Sequence, residues 1–411
     1  MTKKSLPELD TGAMARSFFP DLYPVFFFAL IFFVNFIGRM ILSPLLPTVE
    51  KELVISHGQA GSFFFLMSAG YVIGLLGSGF FAARSNHKIT IVVSSAGVGF
   101  ALLGISLSGS LWSMRAGLLV LGLAAGLYIP SAIAAITSLV EQPRWGKAIA
   151  IHELAPNLAF FAAPFVAQAF LTWSTWRVAL GFLGAASLLV SFSFYRFGRG
   201  GEFRGESPAS SAFATLMRMP AFWLMLALFG IGVSTTIGVY AMLPLYLVSE
   251  RHLEQSWANV VVALSRSYGP LLGLLGGLVS DRLGPRRTMI ISLAFTGVAT
   301  VLLGLSSNHW ISAVVILQPL LAVWFFPAGF AALAAITRPD ARNLTVAFTV
   351  PFGYIIGGGA VPAFIGIMGD AGYFSAGYGV TGIVVLAGAA LALLLRLPAS
   401  EAGVAVGRSR E

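Results

Sequence analysis

The sequence contains no cysteine, and only 10% of its 411 residues are charged. The absence of cysteine excludes disulfide bonds and cysteine-ligated metal or redox centres. The low charge content is unlike that of a soluble enzyme, because soluble domains carry roughly 25% charged residues. With 57% hydrophobic residues, the chain does not have the composition of a disordered protein either. This composition is typical of a protein that crosses a membrane many times.

The net charge of +9 raises the question of a nucleic-acid partner. We expect no nucleic acid, because no basic patch is interleaved with exposed aromatic residues. We also expect no metal and no cofactor, since the five histidines are scattered without the spacing of a ligand set. Residues 1–21 are polar and carry three acids, which is unlike a cleavable signal peptide.

A membrane-spanning helix needs ~20 mostly apolar residues. A window of that length predicts an all-α membrane protein with twelve transmembrane helices, at residues 24–46, 60–82, 89–109, 114–140, 146–171, 176–195, 221–247, 257–280, 287–306, 309–336, 342–369 and 375–396. A β-barrel is excluded, because the long apolar runs do not alternate with polar residues. The polar stretch 196–219 is rich in glycine and serine and is typical of a flexible linker. It divides the chain into six-helix bundles at 1–195 and 220–411.

Lysine and arginine are distributed unevenly between the two sides of this predicted topology. With the N-terminus inside, 19 of the 25 lie on the inner side, four on the outer side and two within spans. Cytoplasmic loops concentrate positive charge. We therefore expect a multi-pass protein of a bacterial-type cytoplasmic (inner) membrane, with both termini in the cytoplasm.

The two predicted bundles resemble each other at an offset of about 198 residues. Residues 79–88 parallel residues 277–286, and Pro47, at the end of the first span, matches Pro244 near the end of the seventh. Two parallel six-helix repeats build a class of secondary transporter. In that class the substrate site lies between the repeats, near the bilayer midplane.

The loop between spans eight and nine carries the most specific motif of the chain. Residues 277–287 read GLVSDRLGPRR, which matches the pattern G-x-x-x-D-R-x-G-x-R-R almost completely. The sequence thereby resembles the major facilitator superfamily, and the resemblance covers all twelve spans. It implies a transporter rather than an enzyme. It also implies a conformational latch in this loop, made by Gly277, Asp281, Arg282, Gly284, Arg286 and Arg287.

The physical basis of such a latch can be read from the residue types. A carboxylate at Asp281 can accept hydrogen bonds from a neighbouring helix N-terminus and pair with arginines, and Gly284 permits a tight turn. In the first-half copy, Ala83 and Asn86 replace the aspartate and the glycine. We therefore expect an asymmetric latch that rests mainly on the second half. A solvated, positively charged loop is the alternative.

Span one extends the resemblance towards one branch of the family. Its residues 35–39 read NFIGR and are followed by Pro44 and Pro47. This resembles the organic-anion branch, the anion:cation symporters, whose members often place an arginine in span one that meets the substrate. Span five has two prolines but lacks the glycine-rich motif of drug–proton antiporters, which disfavours multidrug efflux.

Three charged residues lie well inside the predicted spans: Arg39, Arg266 and Glu153. Intramembrane charges are costly and usually functional. An arginine fork matches a carboxylate or phosphate bidentately, so one arginine from each half could clamp an anion. The alternative is that each arginine pairs with an acid, but one acid cannot neutralise both.

Glu153 and its neighbour His152 are the candidates for proton coupling. Burial favours the protonated form of a carboxyl group, and histidine titrates near neutral pH. The alternative is a gating salt bridge between Glu153 and Arg39 or Arg266.

Eight further polar side chains fall where they could line a cavity and hydrogen-bond a substrate. They are Asn35, Tyr71, Tyr128, Asn157, Tyr268, Gln318, Trp324 and Tyr354. Asn35 lies four residues before Arg39 and is expected on the same helix face. For each, helix packing or an interfacial aromatic belt is the alternative. Glycines 122, 126, 273, 276, 277 and 357–359 are expected to allow helices to approach closely.

Together these patterns predict a secondary transporter that works by alternating access as a monomer in the lipid bilayer. Its expected partners are a small organic anion of the carboxylate type and a coupling proton, moved by symport. Two alternatives stay open: a proton-driven antiporter that exports drugs or metabolites, and a non-transporting solute receptor. The chain has no nucleotide-binding glycine loop, so ATP-driven transport is not expected.

Overall fold

The computed structural model describes residues 19–205, 218–337 and 342–397, and within these ranges the regular structure is helical. Twelve helices are long and apolar enough to cross a membrane, as the sequence predicted. They are α1 Tyr23–Leu53, α2 His57–Arg84, α3 His87–Ser106, α4 Leu111–Leu139, α5 Gln142–Trp173, α6 Trp176–Phe197, α7 Pro220–Ser249, α8 Gln255–Leu283, α9 Pro285–Leu305, α10 Ile311–Ile336, α11 Thr345–Asp370 and α12 Phe374–Ala392. We call α1–α6 the first half and α7–α12 the second half. The linker residues 206–217 and both chain termini lie outside the described residues.

Side-chain caps fix where several helices begin. The hydroxyl of Ser56 accepts a hydrogen bond from the Gln59 amide at the start of α2, and Ser110 and Thr175 act likewise at α4 and α6. The Asn86 side chain accepts from the Ile89 amide at the start of α3, at 2.7 Å. Asn86 therefore has a local structural role in the first-half loop that departs from the family motif.

Several transmembrane helices are interrupted near their middle. α1 is broken at Ile41, between segments Phe19–Met40 and Leu42–Leu53. α7 and α11 contain π-helical segments, Ser234–Gly238 and Tyr354–Ala360, a form that is frequent at functional sites. The prediction that the first span ends at Pro47 was wrong, because the helix continues through this proline to Leu53. A proline removes one backbone donor, and Pro47 is buried within the continuing helix.

Small residues bring α2 and α4 into backbone contact. A Cβ atom on Gly122 would lie 2.0 Å from the Met67 carbonyl oxygen, and one on Gly74 would lie 2.1 Å from the Leu123 carbonyl oxygen. Gly126 lies equally close to Tyr71, as expected for close approach. The expectation was wrong for Gly273 and Gly277, where an added Cβ would meet no atom within 4 Å.

The two halves touch mainly on one side of the membrane region. We call the side that carries residues 198–205 the linker face, and the opposite side the distal face. The hydrogen bonds seen between described residues of opposite halves lie between the middle of the bundle and the distal face. Their pairs are Ser43–Tyr240, Thr48–Gln255, Gln255–Pro44, Asn259–Gln168, Ser56–Asp370 and Gly58–Asp370. The structure is therefore closed at the distal face.

Candidate substrate site

Arg39 lies at the junction of the two halves. Its side chain is buried, with 3% exposure. Its guanidinium carbon is 4.4 Å from the ring centre of Tyr71 on α2 and 4.8 Å from that of Phe36. The Tyr71 ring is in turn 4.7 Å from the ring of Tyr354 on α11. Arg39 thus belongs to an aromatic group that both halves build.

Arg266 occupies a matching position in the second half, with 6% exposure. Its guanidinium carbon lies 5.0 Å from the ring centres of Phe160 on α5 and Tyr240 on α7. Its Nη2 atom donates a hydrogen bond of 3.1 Å to the Thr236 carbonyl, which the π-helical segment of α7 presents. Arg266 is therefore held by one residue of the first half and two of the second.

Local sequence explains why α8 is interrupted at Arg266. The regular helix ends at Leu264 and resumes at Gly269. Pro270 has no amide hydrogen to give to the carbonyl of Arg266, four residues earlier. That carbonyl instead accepts from the Gly269 amide. The break places the arginine at a bend in the middle of the helix.

One row of aromatic rings connects the two arginines. The Phe36 and Phe160 ring centres are 5.1 Å apart, and the Phe160 and Tyr240 ring centres are 5.0 Å apart. Phe36 contacts Arg39, whereas Phe160 and Tyr240 contact Arg266. The structure thus brings both arginines to one layer between the halves. We call Arg39, Arg266, Phe36, Phe160, Tyr71, Tyr240 and Tyr354 the central cluster.

The central cluster contains more hydrogen-bond donors than acceptors. Among the described residues, no carboxylate lies within ion-pair distance of Arg39 or Arg266. The Nε atoms of both arginines and the hydroxyl of Tyr240 are buried without a hydrogen-bond partner. A buried donor left unpaired costs about 1–3 kcal/mol, and more when it is charged. An anion that entered this layer would supply the missing acceptors.

Glu153 and His152 form a short polar chain beside this cluster. His152 is fully buried, and its Nδ1 lies 3.2 Å from the half-exposed Glu153 carboxylate. Its Nε2 lies 3.2 Å from the Tyr128 hydroxyl, which donates to the Phe28 carbonyl at 2.6 Å. Glu153 is also close enough to Tyr71 and Tyr354 to interact with them electrostatically. The chain therefore leads from the central cluster into the interior of the first half.

The structure places the other predicted site residues at different distances from the cluster. The Asn157 side-chain oxygen of the first half faces Gly269 of the second half. The Tyr268 hydroxyl donates a hydrogen bond to the Ile316 carbonyl, and Tyr268 also interacts electrostatically with Arg266. Asn35 lies one helical turn before Arg39 on α1, but the two side chains contact different helices. Its short amide reaches Ser94 on α3, whereas the longer arginine bends to Tyr71 on α2.

Two predicted substrate residues lie inside the second half. The Gln318 amide is buried and donates to the Thr235 carbonyl at 3.0 Å and the Thr300 hydroxyl at 3.2 Å. Trp324 packs on Gly276 of α8, and its indole nitrogen is buried without a partner. These contacts indicate helix packing for Gln318 and Trp324.

Four residues of the site escaped sequence reasoning: Phe36, Phe160, Tyr240 and Thr236. In a chain with 34 phenylalanines no single one stands out, and the Thr236 contribution is a backbone carbonyl. One signal was available. Phe36 precedes Arg39 by three residues, and this spacing places the two on one helix face.

The predicted latch loop is only partly engaged. Gly284 has φ +85°, as a tight turn after α8 requires. Arg286 donates to the carbonyls of Ala392 and Leu393 at the end of α12. Asp281 and Arg282 are exposed, and within the described ranges Asp281 has no hydrogen-bond or ion-pair partner. In this conformation the loop therefore acts through Arg286.

Comparison with known proteins agrees with this architecture. The chain is 26% identical to a probable sulfoacetate transporter of Cupriavidus necator over 72% of its length and 74% of that protein. It is 22% identical to a nitrite extrusion protein of Bacillus subtilis, over 83% of this chain and 82% of that protein. The fold matches a bacterial homologue of the human lysosomal transporter Spinster in an inward-facing and occupied conformation. That match has a TM-score of 0.79 and 17% identity and covers 91% and 96% of the two chains.

The model of one protein family matches nearly the whole helical region. It covers residues 28–273 and 255–410, and its description is Major Facilitator Superfamily. The twelve helices and the loop motif after α8 agree with that match. The chain is therefore a multi-pass membrane transporter that belongs to the major facilitator superfamily.

Proposed function

We propose that the protein is a proton-coupled symporter that imports a small organic anion with a carboxylate or sulfonate group. Arg39 and Arg266 bind the anion, and Glu153 takes up the coupling proton. The protein works as a monomer in a bacterial-type cytoplasmic membrane, with the linker face in the cytoplasm.

The observation that carries this proposal is the set of unpaired donors in the central cluster. The Nε atoms of two buried guanidinium groups and the hydroxyl of the buried Tyr240 have no hydrogen-bond partner, and no acid lies within ion-pair distance among the described residues. The aromatic rings lie against the guanidinium groups, so the in-plane N–H groups are the parts available to a ligand. A planar or tetrahedral oxyanion matches that fork. Two relatives are named for the anions sulfoacetate and nitrite.

Transport follows if the bundles 1–195 and 220–411 rock about the central cluster. Arg266 contacts Phe160 of the opposite half, and Arg39 contacts Tyr71, whose ring lies against Tyr354 of the opposite half. Relative motion of the two halves therefore changes the surroundings of both arginines. A protonated Glu153 leaves the layer more positive and favours anion entry. Its release of the proton towards the linker face then weakens anion binding, and His152 and Tyr128 hold the carboxyl group in place.

Export is the second candidate, because one relative is named a nitrite extrusion protein. The same cluster could bind an anion on its way out, with the proton moving in the opposite direction. The direction of anion accumulation under an imposed proton gradient distinguishes the two. A cationic substrate would require acids that the described part of the central cluster lacks.

The test combines binding and flux on purified protein. Thermal unfolding is measured with short carboxylates, sulfonates and lipophilic cations at pH 5.5 and 7.5, since a ligand of the folded state raises the melting temperature. Compounds that bind are then followed as labelled solutes into liposomes, with the interior alkaline. Stabilisation by an oxyanion, with proton-driven accumulation inside, supports the proposal. Stabilisation by cations alone, or binding without flux, overturns it.

A further inference from the structure

Asp370 of the second half caps a helix of the first half at the distal face. Its Oδ2 atom accepts hydrogen bonds from the Ser56 hydroxyl at 2.7 Å and the Gly58 amide at 3.0 Å. Ser56 is the N-cap of α2, and the Gly58 amide is one of the first-turn donors that have no partner within the helix. A carboxylate at this position also interacts favourably with the positive end of the helix dipole. One side chain at the end of α11 thus joins the halves through two hydrogen bonds.

Glycines allow the backbones of α2 and α11 to meet at this point. A Cβ atom on Gly61 would lie 2.6 Å from the Pro362 carbonyl oxygen, and one on Gly366 would lie 2.3 Å from the His57 carbonyl oxygen. Neither helix could approach the other so closely with a side chain at these positions. The contact is therefore built for close docking of the two halves, and an added methyl group would force them apart.

His57 adds a titratable group to the same contact. Its Nδ1 lies 2.8 Å from the Glu50 carboxylate on α1, and its ring is 5.1 Å from the Phe374 ring on α12. Asp370 on α11 and Glu250 after α7 also interact with it electrostatically. A positive charge on His57 therefore attracts two carboxylates of the opposite half.

Two bases lie next to these acids in the chain: Lys51, which is exposed, and Arg251, which is directed elsewhere. Arg251, next to Glu250, donates to the Tyr246 hydroxyl and to the Leu303 and Gly304 carbonyls within the second half. Its guanidinium is thus held within its own half. Among the described residues, the charged groups that interact with His57 are the three acids Glu50, Asp370 and Glu250.

We infer that Asp370, Ser56 and His57 form a distal latch that holds the transporter closed on that face, and that a proton on His57 strengthens it. This goes beyond the proposed substrate and coupling and requires only that the halves alternate. The surroundings of Asp281 at the opposite face agree with a latch that is closed at the distal face. While Asp370 is engaged at the closed face, Asp281 at the linker face is exposed and has no partner among the described residues.

Distance measurements between spin labels test the latch directly. The chain has no cysteine, so labelled cysteines can be placed in the native background at Leu107 and Leu305, which are 85% and 74% exposed in opposite halves near the distal face. Loss of a charge-assisted hydrogen bond corresponds to roughly a tenfold change in an equilibrium. In Asp370→Asn we expect the ratio of long to short distances to rise by about that factor. The matched control is Glu254→Gln, because the Glu254 carboxylate accepts a hydrogen bond from Ser256 of its own half.

Two glycine-to-alanine variants test the opening of the distal face without removing a charge. Gly61→Ala should lengthen the distances, whereas Gly77→Ala on the same helix should not, because no atom lies within 4 Å of an added Cβ there. This pair keeps the inference testable if Asp370→Asn does not fold. Equal distances in Gly61→Ala and Gly77→Ala, or in Asp370→Asn and Glu254→Gln, would overturn it.

The proton dependence is measured on the same labels at pH 6 and pH 8, without substrate. Free histidine titrates at about pH 6.5, whereas carboxyl groups titrate near 4. The short-distance population should be larger at pH 6 in the parent protein and independent of pH in His57→Gln. A pH response that survives in His57→Gln would remove His57 from the latch. Because no substrate is present, none of these outcomes depends on the anion proposal.

Discussion

Phe160 of the first half lies against the guanidinium of Arg266 in the second half, with the ring centre 5.0 Å from the guanidinium carbon. The same ring contacts Phe36, which lies beside Arg39. Phe160 and Phe36 together therefore link the two intramembrane arginines across the boundary between the halves. A change in the relative position of the halves must alter the surroundings of Arg266.

The first prediction concerns the fork of Arg266. In Arg266→Lys we expect anion affinity to fall about tenfold or more, because lysine keeps the charge but loses the planar pair of donors. Thermal shift and labelled-anion binding measure the change. Arg115→Lys is the control, since Arg115 bonds to Ser62 outside the central cluster. Unchanged affinity in a folded Arg266→Lys protein would rule out bidentate binding.

The second prediction concerns proton coupling at Glu153. In Glu153→Gln the side chain keeps its size but cannot release a proton. Accumulation of the anion against its gradient should be lost, whereas exchange of labelled for unlabelled anion should persist. Glu141→Gln, in the loop before α5, serves as the control and should retain accumulation. If Glu153→Gln still accumulates the anion in response to a pH gradient, the coupling site lies elsewhere.

The third prediction concerns the contact between α2 and α4. Gly122→Ala should lower the melting temperature, because its methyl group would overlap the Met67 carbonyl and overpacking costs typically 1–3 kcal/mol. Gly104→Ala on α3 is the matched control, since nothing lies within 4 Å of an added Cβ there. Equal melting temperatures in the two variants would contradict the close approach.

The sequence predicted the twelve helices because hydrophobic length is a local property. It also singled out Arg39, Arg266 and Glu153, since a charge within an apolar run is visible without any structure. The aromatic residues that surround these charges were not predictable. Phe160 and Tyr240 are far apart in the chain, and only the packing of α5 against α7 makes them neighbours.

The differences between the sequence predictions and the structure have a common physical origin. Asn35 has the helical spacing to share a face with Arg39, but side-chain length decides which neighbour each reaches. Gln318 is a polar residue in an apolar span, yet its amide donates a hydrogen bond to the Thr235 carbonyl. That carbonyl belongs to a π-helical segment, which no sequence pattern predicted. Asp370 was overlooked because it lies at a span end, where a charge is unremarkable. Its role depends on a helix N-terminus more than 300 residues away in the chain.

The last prediction separates the two roles proposed for the loop after α8. Arg286 donates to the carbonyls of Ala392 and Leu393, at the end of α12. A cation at a helix C-terminus is stabilising, typically by 0.3–1 kcal/mol, and hydrogen bonds to charged groups add about 1.5–3 kcal/mol. Arg286→Ala should therefore lower the melting temperature, whereas Arg287→Ala, at an exposed neighbouring position, should not.

If the loop were a latch and nothing more, both variants would shift the distance distributions of labelled protein and leave its melting temperature unchanged. Loss of stability in Arg286→Ala alone would instead show that Arg286 anchors α12, and would leave Asp281 as the residue through which any latch at the linker face must act.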